Sequence, residues 1–410
     1  MTELPGIRRG TREFRRANAA FFLSAFSVFA SLYSVQPLLP MFAQYWVRDA
    51  GEASLALSVT TATMAVALIP ASMLADRLGR RRLIVWALLI TAILGAALPF
   101  AQVWWQLITL RTLMGITLAG IPAVAMVYLS EEMAPDALGY SMGLYIGGTA
   151  IGGMAGRVIS GVLSDFLGWR LGTGILAGLI LLAALAVAAL LPQPRQSTRD
   201  PISLPDLWRR CRASFDDAAL PWLFASSFLI MGSFVTLYNY AGFRLALPPF
   251  LLSHSAIAAI FLVYLLGSIS STWAGGLSQR LGRRKVFWVL VAIMGVGMAL
   301  TTIPDTWVII LGLAIATIGF FAAHGVASAW VTRRARVGKA QASALYLVAY
   351  YLGASMLGTI GGYAWTAWAW PGVLLVCGGA ITLALVVAIR LTFIPPLAAP
   401  EQPVTPPTAQ

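Results

Sequence analysis

Charge is what this 410-residue chain has least of: Asp, Glu, Lys and Arg make up 10% of it, against roughly 25% in a soluble globular domain. With 59% hydrophobic residues and a mean hydropathy of +0.81, the apolar surplus is too large for one core and must face lipid. Cysteine is nearly absent. Cys211 and Cys377 lie far apart, which excludes a disulfide framework. With only His254 and His324 beside them, a metal site is excluded too. There is no GxxxxGK[ST] phosphate loop, so ATP does not drive this chain directly, and no hydrolase elbow accompanies the serines. No enzyme chemistry and no cofactor are therefore expected. Residues 1–16 are polar and Arg-rich, with no cleavage site after the first apolar run, so that run is expected to stay as a helix.

Crossing the hydrocarbon takes about 20 apolar residues in a helix. Twelve such stretches are present: 18–44, 54–76, 83–100, 104–130, 138–163, 168–191, 219–243, 253–277, 286–303, 307–331, 340–365 and 371–393. The net charge of +13 could suggest nucleic acid, but position argues otherwise. The basic residues cluster at regular intervals, in the N-terminal segment and in loops on one side: Arg8 to Arg16, Arg77 to Arg82, Arg195 to Arg212, Arg280 to Lys285 and Arg333 to Lys339. The intervening loops hold little beyond Arg48, Arg170 and Arg244. By the positive-inside rule the basic loops and both termini are cytoplasmic, as an even number of spans requires. The predicted organisation is a cytoplasmic tail (1–17), a six-helix bundle (18–191), a cytoplasmic linker (192–217), a second six-helix bundle (218–393) and a Pro-rich disordered tail (394–410).

The two bundles repeat one another. Leu74-Ala75-Asp76-Arg77-Leu78-Gly79-Arg80-Arg81-Arg82 follows the second span, and Leu277-Ser278-Gln279-Arg280-Leu281-Gly282-Arg283-Arg284-Lys285 follows the eighth, at an offset of 203. Leu144-Tyr145 matches Leu345-Tyr346 at 201, and Leu32-Tyr33 matches Leu237-Tyr238 at 205. Duplicated bundles about a central path are a transporter architecture.

At these residues the chain resembles the major facilitator superfamily over essentially its whole length. Asp76-Arg77-Leu78-Gly79-Arg80-Arg81 is similar to that family's loop between the second and third helices, with Ser72 where a Gly is usual and Gln279 in place of the acid in the second copy. Arg111-Thr112-Leu113-Met114-Gly115 resembles its fourth-helix signature. Gly156-Arg157-Val158-Ile159-Ser160-Gly161 stands where its antiporters tend to carry Gly-Pro-x-x-Gly-Gly, with Arg replacing the Pro. Tyr33-Ser34-Val35-Gln36-Pro37, Tyr128-Leu129-Ser130-Glu131-Glu132, Gly232-Ser233-Phe234-Val235-Thr236-Leu237 and Ala322-Ala323-His324 resemble the bacterial YnfM-type subfamily, whose members are mostly described as drug or small-solute exporters. The resemblance implies an all-α fold of twelve transmembrane helices in two six-helix pseudo-repeats, in a bacterial inner membrane. It also implies a gating role for Asp76, Arg77, Gly79, Arg80 and Arg81. In that role Asp76 would latch onto a helix N-terminus of the other half and hold the outward-open state.

An ionisable residue inside a span is costly and needs a reason. Arg111 in the fourth span is either a cavity cation for an anionic group or a structural Arg bonded to helix carbonyls. Arg157 in the fifth is either a cavity residue or one that snorkels to the headgroups. Gly148, Gly152, Gly156, Ser160 and Ser164 beside it recur every four residues, a stripe that admits a close helix neighbour. Acids are missing from the interior: Asp76, Glu131, Glu132, Asp136, Asp165 and Asp305 all fall at span ends or in loops. His324 is the deep group able to titrate near neutrality, or else a satisfied structural histidine. Tyr33, Gln36, Tyr238, Asn239 and Tyr240 are expected to line a cavity for amphipathic solutes, with Tyr145 and Tyr346 in the fifth and eleventh spans, against the alternative of an interfacial belt. The predicted function is a monomeric secondary transporter of small organic solutes, an exporter, with the bilayer, a small-molecule substrate and protons as partners and no nucleic acid. The alternatives are uptake or exchange of a small anionic metabolite, and lipid flipping.

Overall fold

The computed structural model describes residues 6–194 and 203–395. Among them nine helices are long and apolar enough to cross a bilayer. Two of the nine contain a sharp reversal. Pro135–Leu190 turns at Gly168, whose φ of +79° suits only a residue without a Cβ, and Lys339–Phe393 breaks at Trp368-Ala369. Each therefore supplies two spans. A shorter helix, Arg283–Leu300, opens with Arg283, Arg284 and Lys285 and is the twelfth.

In chain order, span 1 is Arg12–Tyr45, span 2 Ala50–Leu78, span 3 Arg80–Phe100 and span 4 Trp104–Glu132; Pro135–Leu190 carries spans 5 and 6. Span 7 is Leu220–Ala246, span 8 His254–Leu281, span 9 Arg283–Leu300 and span 10 Thr306–Arg334; Lys339–Phe393 carries spans 11 and 12. The expected boundaries are met to within a few residues except at the start. Span 1 begins at Arg12 with Thr11 as its N-cap, and Ile7 pairs with Met133 at the end of span 4. The segment expected as a tail of 1–17 is thus partly docked. The linker carries a helix of its own, Leu204–Phe215. Residues 1–5, 195–202 and 396–410, which include most of the expected C-terminal tail, lie outside the described residues.

The duplicated loop has one geometry in both copies. Gly79 and Gly282 have φ of +86° and +87°, ψ of 136° and 134°. At each site the left-handed residue ends one span and starts the next with no room for a longer loop. The glycine stripe of span 5 lies against span 1: a Cβ on Gly148, Gly152 or Gly156 would strike the backbone at Phe22, Phe26 and Ala30. Gly353 in span 11 packs in the same way on Phe228 in span 7. Small residues let these backbones touch, and that contact is the main source of association between helices in lipid.

The halves meet at one end only in the contacts that glycine makes visible. At the end away from the basic loops, Gly161 of span 5 lies on Ala258 of span 8, and Gly51 of span 2 lies on Gly362 of span 11. Asp165, in the turn between spans 5 and 6, accepts a hydrogen bond from the Ser255 backbone N–H at 3.1 Å, at the start of span 8. Hydrogen bonding from Ser255, with His254 nearby, holds the Asp165 carboxyl below its ordinary pKa. Toward the basic end, a Cβ on Gly139, Gly143 or Gly147 of span 5, or on Gly275 or Gly276 of span 8, would meet nothing within 4 Å.

Candidate substrate site

Span 1 is not one helix. It stops at Tyr33, makes a 3-10 turn over Gln36–Leu38 and resumes over Leu39–Tyr45. Pro37, with no N–H to give, falls in the break, which strands the carbonyls of the last helical turn. Arg111 takes two of them, donating from Nη1 to Ser31 O at 3.0 Å and from Nη2 to Leu32 O at 2.7 Å. Its Nε donates to Ala56 O in span 2 at 2.8 Å. Ser160 Oγ donates to Ser34 O. Arg111 is fully buried and ties spans 1, 2 and 4 together. Of the two readings of Arg111, cavity cation or structural arginine, this geometry matches the second: the guanidinium lies on backbone acceptors that the broken helix leaves over.

The same break aims Gln36 toward the other half. Arg157 Nε donates to Gln36 Oε1 at 2.6 Å, and Gln36 Nε2 donates to Asn239 Oδ1 at 2.7 Å. Arg157 and Gln36 belong to the N-terminal half and Asn239 to span 7, so this short polar chain crosses between the halves. Arg157 also donates from Nη1 to Gly153 O. Its Nη2 makes no hydrogen bond, and no acid pairs with it, among the described residues. Aromatic faces surround the charge instead. The guanidinium carbon lies 3.9 Å from the Tyr33 ring centre, 4.7 Å from that of Tyr264 and 5.1 Å from that of Phe261, all cation–π distances. Tyr33 faces Tyr350 of span 11 across the seam.

The other expected liners fall in three places. Tyr238 stands behind the cage: its hydroxyl meets Thr317 Oγ1 at 2.6 Å and its ring packs on Phe261 and Tyr264. Tyr240 points elsewhere and donates to Gly358 O at 2.6 Å, since residues two apart on a helix lie on nearly opposite faces. Tyr145 is twelve residues before Arg157, about 18 Å along span 5, and packs edge-on to Phe21. His324 and Tyr346 form a pair, Nδ1 to hydroxyl at 3.0 Å. The pair joins the cage through Phe320, which stacks on Phe234 at 3.9 Å, and through Tyr350. Tyr264, Phe261 and Tyr350 were missed in the sequence. Tyr350 could have been found as the next turn of the Tyr346 face; Tyr264 and Phe261 bear on Arg157 only because span 8 crosses span 5.

The duplicated loops make contacts within their own half. Arg80 pairs with Glu131 at the end of span 4. Arg81 donates to Leu191 O and Ala188 O, and Arg16 to Ala189 O, so the end of span 6 is capped by guanidinium groups. Asp76 is half-buried and makes no ion pair or hydrogen bond among the described residues, and Arg77 is exposed. In the second half Arg334 binds Asp217 through both carboxylate oxygens, at 2.9 and 2.8 Å, and donates to Pro395 O.

A bundle of twelve helices in two repeats, with a polar chain crossing their seam, defines a transporter architecture. The family description "Major Facilitator Superfamily" matches residues 21–245 and 229–409, and the chain belongs to that superfamily. It is similar to the inner membrane transport protein YnfM of Escherichia coli, 41% identical over 383 residues, 93% of this chain and 91% of the relative. It is also similar to the MFS-type transporter YybF of Bacillus subtilis, 40% identical over 386 residues, 94% of this chain and 95% of the relative. Among solved structures, a bacterial homologue of the human lysosomal transporter Spinster, inward-facing and unoccupied, superposes with a TM-score of 0.72 at 16% identity, covering 93% of each chain. The protein is a multi-pass membrane transporter and not an enzyme.

Proposed function

We propose that the protein exports small amphipathic organic anions from the bacterial cytoplasm across the inner membrane, by alternating access between its halves. Arg157 carries the reading: a buried guanidinium with three aromatic faces around it and, among the described residues, a free Nη2 and no acid paired to it. Burying an unpaired charge costs several kcal/mol. A carboxylate or sulfonate would complete the guanidinium through a charge-assisted bond, and the rings would hold an aromatic body. Both halves of the path lie in one chain, so a monomer suffices.

The basic loops mark the cytoplasmic end, so the arrangement described is inward-facing, sealed at the outer end. The energy source follows from the sign of the substrate. A membrane potential, negative inside, drives a monoanion outward with about 2.3 kcal/mol per 100 mV, about 50-fold in concentration. Proton coupling is then unnecessary, in keeping with the placement of the described acids at span ends. His324 serves as a hydrogen-bonded ring in the aromatic stack.

The test is flux from proteoliposomes holding labelled benzoate, with a potassium diffusion potential and without one. Efflux should follow the potential, ignore a pH gradient, and fall about 100-fold in Arg157→Gln. Transport of tetraphenylphosphonium or a labelled phospholipid in place of benzoate would overturn the reading in favour of cation export or lipid flipping. Orientation is checked separately. In a background without Cys211 and Cys377, a cysteine placed within 48–53 should be labelled from outside, and one at Arg199 should not.

A further inference from the structure

At the offset of 201 that relates Tyr145 to Tyr346, Arg157 corresponds to Gly358. One half thus presents a guanidinium to the seam where the other presents no side chain. A Cβ built on Gly358 would stand 3.5 Å from Asn239 Nδ2, 3.5 Å from Ser58 Oγ and 3.8 Å from Val235. These are ordinary contact distances, so room for a methyl group exists there. Both polar atoms facing that room are buried and unpartnered: Asn239 is 0% exposed, Ser58 is 2% exposed, and neither Nδ2 nor Oγ has a hydrogen-bond partner among the described residues. An orphaned buried donor costs about 1–3 kcal/mol and calls for an explanation.

The direction of the orphan is set by Arg157. A guanidinium only donates, so the Gln36 atom it meets must be the oxygen. Gln36 then offers its NH2 to Asn239, which must answer with Oδ1. Asn239 is left with Nδ2 turned toward Gly358. The charge on span 5 thereby fixes the orientation of an amide on span 7, two side chains away. Two hydrogen bonds and two amide widths put the free Nδ2 within about 10 Å of Arg157, a span that one small aromatic acid bridges.

We infer that this polar notch at Gly358, formed by Asn239 Nδ2 from one half and Ser58 Oγ from the other, is a second recognition point of the substrate and takes a hydroxyl or carbonyl oxygen. The inference rests on the reading of Arg157 as the anion site and adds to it. The substrate is an organic anion with a second oxygen set apart from its charge. Because Ser58 and Asn239 lie on opposite halves, an oxygen held by both bonds to the two halves at once.

The experiment compares benzoate with 4-hydroxybenzoate, which differ by one hydroxyl, in proteoliposomes under a fixed potential. The native protein should favour 4-hydroxybenzoate by about tenfold, the worth of one well-placed hydrogen bond. Gly358→Ala fills the notch, and Asn239→Leu removes the donor. Each should bring the preference to near one, and Ser58→Ala should lower it in part, with size-exclusion profiles confirming folded protein. Arg157→Lys still only donates, and so keeps the Gln36 and Asn239 amides in place, but it loses the guanidinium fork; it should depress both fluxes together and leave their ratio near tenfold, which separates the two sites. A native protein without preference, or a preference that survives Gly358→Ala and Asn239→Leu, overturns the notch while leaving the anion site standing. Failure to carry either acid overturns both.

Discussion

The two halves share a fold and a duplicated loop but differ in what fills the centre. The N-terminal half contributes cations: Arg111 on the carbonyls of a broken helix and Arg157 at the seam. The C-terminal half contributes rings, with Phe234, Phe320, His324 and Tyr350 in contact from the cage toward the basic end. At the loop offset of 203 Arg111 corresponds to Ala314, and at the offset of 201 Arg157 corresponds to Gly358. Duplication preserved the helix contacts, which need small residues at fixed spacing. It left the central side chains free to diverge, and an asymmetric centre is what a polar-tipped apolar solute requires.

The sharpest way to break this comparison is to treat the two arginines alike. Arg111→Leu removes three donors from a buried site, leaving Leu32 O without a donor among the described residues and Ser31 O and Ala56 O with only their local helix partners, a loss of several kcal/mol. We expect little folded protein and a fall in melting temperature above about 10 °C in detergent. Arg157→Gln should fold, with transport lost instead. If Arg111→Leu folds normally and only transport falls, Arg111 belongs to the substrate path after all.

Next in size is the duplicated loop. Asp76 sits at a helix C-terminal end, where the macrodipole disfavours an anion, and it has no partner among the described residues while the outer end is sealed. As a latch onto the other half it would engage only when the cytoplasmic end closes. Asp76→Asn should insert normally, lose most transport and shift the balance toward inward-open, as read by cysteine accessibility. Gln279→Ala should do much less, because the second copy carries no charge to lose. An unchanged balance in Asp76→Asn removes the latch even if transport drops.

A smaller, opposite effect is expected at the outer end. Asp165→Asn weakens the contact with the start of span 8 by about 1 kcal/mol and should raise accessibility of a cysteine at Ala258 by a few-fold. The depressed pKa of Asp165 sets the sign with pH. The carboxylate contact is present above the ordinary carboxylate range and is lost only as pH falls through the lower, folded value. Closure of the outer end should therefore be flat between pH 5 and 8. The smallest change is Tyr240→Phe, which removes one hydrogen bond to Gly358 O and should lower the melting temperature by at most a few degrees without altering the benzoate to 4-hydroxybenzoate ratio.

Much was determined by the sequence alone. Twelve spans follow from apolar runs because no water reaches a backbone inside lipid, so each run must be a helix. The two-fold repeat follows from Gly79 and Gly282 in matching loops, and their nearly equal dihedrals show that the same local chemistry makes the same turn. The presence of costly residues in spans 4 and 5 was also legible, since charge in a hydrocarbon stretch stands out against its neighbours. What the sequence did not decide was which arginine faces whom. Arg111 and Arg157 sit at similar depth in similar helices, and their environments come from spans distant in the chain: the break in span 1 at Pro37, the crossing of span 8 and the amide of Asn239. Hydrogen-bond satisfaction is settled by partners brought together only in three dimensions, and so the roles of the two buried cations, and the unpaired amide beside Gly358, belong to the tertiary structure.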